Sequence, residues 1–298
     1  MNNARLELEE ILGKNRVKVM EPLSLHTTFR TGGPAEFYAD VQTIEEFVSV
    51  IHVAIKNGLP VFVLGGGSNV IVSEKGVKGL VIKNNCRKFE IKGNTVEAQS
   101  GVIMNQLVKA AIENGLLGFE YNLGLPGTVG GGIYMNSSFP EKHAHVSDGL
   151  QSAKLILKDG TIREVDASYV RFENGRSKLW DTGEIILSVV FSLTPGDKEV
   201  LRKIGAFVLA SRTNSQQKGG YIGCTYRNIS LPQNIIDKAG LKGKRVGMAM
   251  IAHTDERFII NLGGVYTKDV VTLTKLIKQE IREKFGVDFV YEIRIIGN

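Results

Sequence analysis

Hydrophobic positions recur at helical spacing over Thr43 to Asn57 (TIEEFVSVIHVAIKN), and Gly58, with Pro60 just beyond, stops the run. Val61-Phe62-Val63-Leu64 is apolar without alternation and rich in β-branched and aromatic residues, which predicts a buried strand. Gly65-Gly66-Gly67-Ser68-Asn69 follows, then two short apolar strands, Val70-Ile71-Val72 and Leu80-Val81-Ile82. This first α/β piece ends near Lys83. From Glu90 the pattern shortens to that of strands and hairpins, in EIKGNTVEAQSG, KLILKDGTIREVD and IILSVVFSL. Asp159-Gly160 between alternating runs predicts a tight hairpin. A helix over Ile103 to Asn114 interrupts these strands. After the polar break Thr194-Pro195-Gly196, the spacing predicts helices over Lys198 to Arg212 and Val270 to Phe285, and a last strand over Tyr291 to Ile296. The expected organisation is α+β in three pieces, 1–83, 84–196 and 197–298.

Composition narrows the class. The 298 residues are 43% hydrophobic and 23% charged, as in globular proteins and unlike disordered, fibrous or membrane ones. No apolar run reaches ~18 residues, and the opening residues lack the basic head and apolar stretch of a secretory signal. Two cysteines, Cys86 and Cys224, exclude a disulfide scaffold and a four-cysteine zinc site. A cytoplasmic location is expected. The five histidines show no ligand spacing, so no metal is expected; His143-Ala144-His145 reads as a solvated loop. A net charge of +6 suits an anionic small molecule. The lysines are scattered rather than arranged in a basic stripe, so neither nucleic acid nor membrane is an expected partner, and no obligate protein partner is implied.

Glycine is the outlying number: 34 residues, against about 21 at the usual ~7% usage. The excess clusters at 65–67, at Gly124, Gly127 and 130–132, and at Gly219, Gly220 and Gly223. Stacked backbone amides without Cβ atoms can meet an anion, which is one reading of the first cluster; a tight turn is the other. It is not a dinucleotide fingerprint, because Val70 stands where the third glycine of G-x-G-x-x-G belongs and a strand follows. The phosphate-loop pattern GxxxxGK[ST] is absent. In the second cluster, Pro126-Gly127 sets a turn and Gly130 to Gly132 lets backbone pass against an extended ligand, with Ile133 and Met135 as walls.

These residues carry a resemblance. Gly65-Gly66-Gly67-Ser68-Asn69 and Gly124-Leu125-Pro126-Gly127-Thr128-Val129-Gly130-Gly131-Gly132-Ile133-Tyr134-Met135-Asn136 resemble the signature of the UDP-N-acetylenolpyruvoylglucosamine reductase family. Supporting matches run over roughly residues 20 to 297: Leu25 to Ala35, Gly118-Phe119-Glu120, Ala239 to Gly243, Asp269, Phe285-Gly286 and Tyr291 to Gly297. The compact ending resembles the shorter of the family's two types.

The resemblance implies a two-domain FAD-binding module of the PCMH/vanillyl-alcohol-oxidase type and a C-terminal α+β substrate domain. It implies an enzyme of peptidoglycan precursor synthesis that carries hydride from NADPH by way of FAD to the enolpyruvyl double bond of a UDP-sugar. The alternatives are a flavin oxidoreductase of the same fold acting on another substrate, and a non-catalytic FAD- or UDP-sugar-binding paralogue. Carried over residue by residue, the cofactor positions are Arg30, Thr31, Gly65, Gly66, Gly67, Ser68, Asn69, Pro126, Gly127, Thr128, Gly131, Gly132 and Asn136. Substrate positions are Tyr121, Arg212 and Asn228. The proton donor falls on Cys224 within Tyr221-Ile222-Gly223-Cys224-Thr225-Tyr226-Arg227-Asn228, where the family has serine or sometimes cysteine. A thiol, with a reference pKa near 8.5, is a far stronger acid than a serine hydroxyl. Glu292 matches the near-terminal glutamate. The family's Tyr-Arg-x-Ser fits Arg176 only with a one-residue shift; keeping Ser177 in register puts Gly175 in the arginine's place, and Arg171 stands in reserve. Two further departures are Ser137-Ser138 where the family has Ala-Gly, and Asp255 where it has histidine, with His253 nearby out of register.

Overall fold

The structure is a computed structural model that describes residues 2–297 except 174–175, 216–218, 224–225, 228–233 and 289. The chain divides into two compact units. One comprises Met1–Val19, Phe37–Gly66 and Gly79–Asn214; the other comprises Met20–Glu36, Gly67–Lys78 and Ser215–Asn298.

The first unit opens with helix α1 (Asn2–Leu12), then β1 (Val17–Pro22), β2 (Pro34–Val41), α2 (Ile44–Lys56) and β3 (Val61–Leu64). Helix α2 begins where Thr43 accepts from the Glu46 N–H and carries Glu45 and Glu46 in its positive first turn. It ends at Gly58, whose φ of 63° suits a residue without Cβ. After the glycine turn come β4 (Val70–Val72), which belongs to the second unit, and β5 (Val77–Asn84), which returns to the first. The four-stranded sheet runs β1-β2-β5-β3, with β3 and β5 parallel and Leu64 opposite Lys83. Leu8, Phe47, Ile51, Leu80 and Ile82 pack together as its core, with Cys86 among them.

Strands β6 (Phe89–Lys92), β7 (Thr95–Gln99), β8 (Leu150–Ile156), β9 (Ile162–Asp166) and β10 (Ile185–Ser192) form an antiparallel sheet in the order β9-β8-β10-β7-β6. The Asp159-Gly160 turn joins β8 to β9, with Gly160 at φ 87°. Helices α3 (Met104–Glu113) and α4 (Val129–Met135) contribute Met104, Leu107, Val129 and Ile133 to this sheet's core, where Phe119 meets Phe191 edge-on at 4.7 Å. Helix α5 (Lys198–Ser215) closes the unit.

The second unit is built from β11 (Gly220–Ile222), β12 (Tyr226–Arg227), β13 (Arg245–Val246), β14 (Ala249–Ile251), β15 (Ile259–Asn261), α6 (Thr267–Phe285), β16 (Val290–Tyr291) and β17 (Arg294–Ile296). Its sheet runs β11-β15-β14-β13; β12 pairs with β16, and β17 pairs in parallel with β4. Leu273, Ile277 and Ile281 of α6 lie on Ile251, Ile259 and Ile235. Among the described residues no helix is long and apolar enough to cross a membrane.

The second glycine cluster forms helix α4, started by Thr128, whose hydroxyl accepts from the Gly131 N–H at 3.3 Å, and closed by Asn136 at φ 44°. Helical glycine costs up to ~1 kcal/mol per residue, which packing offsets here. A Cβ on Gly130 would sit 2.7 Å from Ser100 Cβ, and one on Gly132 would sit 2.9 Å from Met104 Cε. The last strand also breaks, at Glu292-Ile293, between β16 and β17.

Candidate functional site

Two glycine segments meet in the first unit. As β3 ends, the chain leaves the sheet at Gly65, and backbone from the second glycine segment lies directly against it. A Cβ on Gly66 would come within 2.6 Å of Gly127 Cα, and one on Gly65 would come within 2.5 Å of the Thr128 hydroxyl. Neither position admits a side chain. Gly127, at φ 115°, accepts from the Met104 N–H, and Thr128 is buried.

Two adjacent residues at the end of β5 tie these segments down. Lys83 donates from Nζ to the Gly65 carbonyl at 2.5 Å. Asn84, buried, donates to the Ser100 hydroxyl at 2.8 Å, and the Ser100 carbonyl accepts from the Gly130 N–H at 2.8 Å. Successive strand side chains point to opposite faces, so one dipeptide can reach both loops. Burial pushes the Lys83 ammonium below its ordinary pKa, opposed by Asp40. Lys83, Asn84 and Ser100 are absent from the site read from sequence. Their one signal is a polar Lys-Asn pair ending an apolar strand.

Of the other positions carried over in this unit, Gly131 is exposed with space around it, whereas Gly132 is buried. Asn136 is buried and accepts from the Ser147 hydroxyl at 2.6 Å. Arg212 donates to the carbonyls of Tyr121 and Ser138 at 3.3 and 3.4 Å and lies over the Phe139 ring, itself stacked on Tyr121 at 6.1 Å. Arg212 and Tyr121 are thus brought together. Arg176 stands apart from that group. It pairs with Asp181 at 3.0 Å and lies over Trp180, which stacks on Tyr134. Ser177 is buried and donates to the Tyr134 carbonyl at 3.0 Å. Arg171 is exposed at φ 42°.

In the second unit the segment before β2 is fixed by backbone. Gly67, at φ 69°, accepts from the Thr28 N–H, and Asn261 donates to the Phe29 carbonyl at 2.8 Å. Arg30 is exposed at φ 58°. Thr31 is buried; its carbonyl accepts from the Thr27 hydroxyl, while its own hydroxyl has no hydrogen-bond partner among the described residues. Ser68 is half-buried. Asn69 donates to the Glu292 carbonyl at 3.0 Å, and its carbonyl accepts from the Arg294 N–H at 3.1 Å.

Cys224 and Asn228 lie outside the described residues. The strand beside them is described: β12 pairs with β16, setting Tyr226 opposite Tyr291, the residue before Glu292. Asp255 is engaged by Arg257 at 2.7 Å, and Asp269 accepts from the Met248 and Tyr266 N–H groups at the start of α6. Among the described residues no three histidine, cysteine or acidic side chains gather as metal ligands.

Residues 35–166 match a family of FAD binding domains, and residues 215–296 match the C-terminal domain of UDP-N-acetylenolpyruvoylglucosamine reductase. The reductase of Thermus caldophilus superposes with a TM-score of 0.79 at 30% identity, covering 95% of this chain and 99% of that one. Alkyldihydroxyacetonephosphate synthase, at 19% identity and a TM-score of 0.51 over 65% of this chain, shares the fold alone. The reductase of Rubrobacter xylanophilus is 32% identical over 94% of this chain and 95% of its own length. That of Clostridium kluyveri is 33% identical over 98% of this chain and 97% of its own. The chain therefore belongs to the UDP-N-acetylenolpyruvoylglucosamine reductase family.

Proposed function

We propose that Cys224, Glu292 and an arginine carry the proton and charge chemistry of the reaction that this family performs. That reaction is the NADPH-dependent reduction of UDP-N-acetylglucosamine enolpyruvate to UDP-N-acetylmuramate in peptidoglycan precursor synthesis, by an FAD flavoenzyme. FAD, when bound, supplies the hydride relay between NADPH and the enolpyruvyl double bond. The residues present fit it. Gly65 and Gly66 offer backbone with no room for Cβ, suited to the anionic diphosphate, and Thr31 keeps a buried hydroxyl in need of a partner.

Hydride delivery leaves negative charge on the substrate's second carbon, delocalised into its carboxylate. One group must then give that carbon a proton, and fixed polar groups must hold the charge. Cys224 is the donor, and Glu292 is the carboxyl group that the family's pattern pairs with it. The observation that carries this assignment is the β12–β16 pairing: Tyr226, two residues beyond Cys224, is opposite the neighbour of Glu292. Arg176 is the first candidate for holding the charge. Its pairing with Asp181 is between exposed groups and weakly held, so it can be exchanged for a substrate carboxylate. Arg171 is the second candidate. Arg212 and Asn228, within a substrate domain that spans 197–298, and Tyr121 of the piece before it are assigned to the UDP-sugar. A cytoplasmic enzyme is the reading that a nucleotide-sugar substrate and NADPH support.

The test is a paired measurement. Purified protein should carry flavin absorbance or acquire it with FAD, and should oxidise NADPH in proportion to added enolpyruvyl UDP-sugar. NADPH oxidation indifferent to that sugar points to another substrate; flavin binding without turnover points to a binding protein.

A further inference from the structure

We propose that Lys83 is a positioning residue for the cofactor diphosphate, acting through the peptide plane between Gly65 and Gly66. The inference rests on the reading of 65–69 as the diphosphate-binding turn. A trans peptide is planar, and its C=O and N–H point in opposite directions; no cis peptide bond occurs among the described residues. The Lys83 ammonium takes the Gly65 carbonyl at 2.5 Å. The Gly66 N–H of the same plane is thereby turned away from Lys83.

Glycine alone would let this plane rotate, since Gly65 and Gly66 have the widest backbone freedom of any residue. Two constraints remove that freedom. Gly127 and Thr128 close one side at distances that admit no Cβ. Lys83, directly opposite Leu64 in the parallel β3–β5 ladder, reaches past the end of β3 to hold the other. A charge-assisted bond from a partly buried ammonium is about twice as strong as a neutral one. Because that ammonium is committed to a carbonyl, it acts on the ligand by fixing the amide.

The charged groups around Lys83 set its pH behaviour. Burial lowers its pKa most, Asp40 on β2 raises it, and Arg87, just after β5, lowers it further. The cationic latch therefore weakens as pH rises, starting below the ~10.4 of a free lysine.

The experiment is an FAD titration of the full-length apoprotein, followed by flavin fluorescence, for the wild type, K83M, K83R and G66A. Thermal melting of each apoprotein checks folding. For K83M the expected result is an FAD Kd raised about 10- to 100-fold, the loss of one hydrogen bond to a charged group. K83R should stay near the wild type, because a guanidinium can also reach the carbonyl while remaining charged. Wild-type affinity should fall with alkaline pH, and that fall should be absent in K83R. A K83M Kd within twofold of the wild type, or a wild-type profile with the same alkaline fall as K83R, overturns the proposal. If K83M melts early, the wild-type and K83R profiles decide by themselves. G66A separates the two levels. Weakened FAD binding in G66A with none in K83M removes the latch and leaves the turn, whereas unchanged binding in G66A removes the turn and the latch with it.

Discussion

The segments we assign to the cofactor in the first unit and the motif we assign to the proton donor in the second are made of different materials. At Gly65 and Gly66 the proposed working part is the backbone itself, where an added Cβ has no room. From Tyr221 to Asn228 the proposed working parts are single side chains, where one substitution would change the chemistry. The chain keeps the glycines in order, yet it has cysteine at the donor position, Gly175 in the register of an arginine, and Asp255 for a histidine. Backbone sites tolerate drift around them as long as glycine stays. Side-chain sites drift in identity.

That contrast can be broken by substitution, beginning with the largest effect. Cys224→Ala should lower turnover by about 10²–10⁴-fold, the usual contribution of a general acid, without altering FAD affinity; Cys224→Ser should remain partly active. A parallel loss of FAD would mean that the two regions are not separate in function. Gly66→Ala should do the reverse, weakening FAD about 10- to 100-fold in a titration because its Cβ meets immovable Gly127 backbone.

Within the glycine segments, Gly130→Ala should destabilise the fold by ~1–3 kcal/mol in denaturant melts, since its Cβ would crowd Ser100. Gly131→Ala, whose Cβ would make only ordinary contact with the Thr128 hydroxyl at 3.5 Å in helix α4, should stabilise the apoprotein by up to ~1 kcal/mol. Any weakening of FAD by that alanine would then be contact with the ligand. The smallest effect is expected at Cys86. Burial in the first core pushes its thiol up to about 12, so between pH 7 and 9 a thiol reagent should leave it unlabelled until the protein unfolds. Labelling in the native protein therefore reports on Cys224.

Much of this was legible before the structure. The spacing of α2, the apolar run of β3 and the Asp159-Gly160 hairpin are local signals, and each is found where expected. Glycine crowding announced close approach but not the object approached. At Gly66 the object is other backbone, at Gly65 the Thr128 hydroxyl, and at both, on our reading, the cofactor; at the helical Gly130 and Gly132 it is the side chains of Ser100 and Met104. That distinction is tertiary, so no local pattern could carry it. Lys83 and Asn84 were hidden for the same reason, because their partners lie 18 and 16 residues away along the chain. The break of the last strand at Glu292 follows from pairing with two different strands, β12 and β4, which an alternating pattern does not record.

On this reading, cofactor binding and proton delivery are carried by separate parts of the chain. Stopped-flow measurement of the two half-reactions in the Cys224→Ala protein tests it most directly. Flavin reduction by NADPH should proceed at the wild-type rate, with little or no reoxidation by the enolpyruvyl UDP-sugar. Reoxidation at the wild-type rate would contradict it.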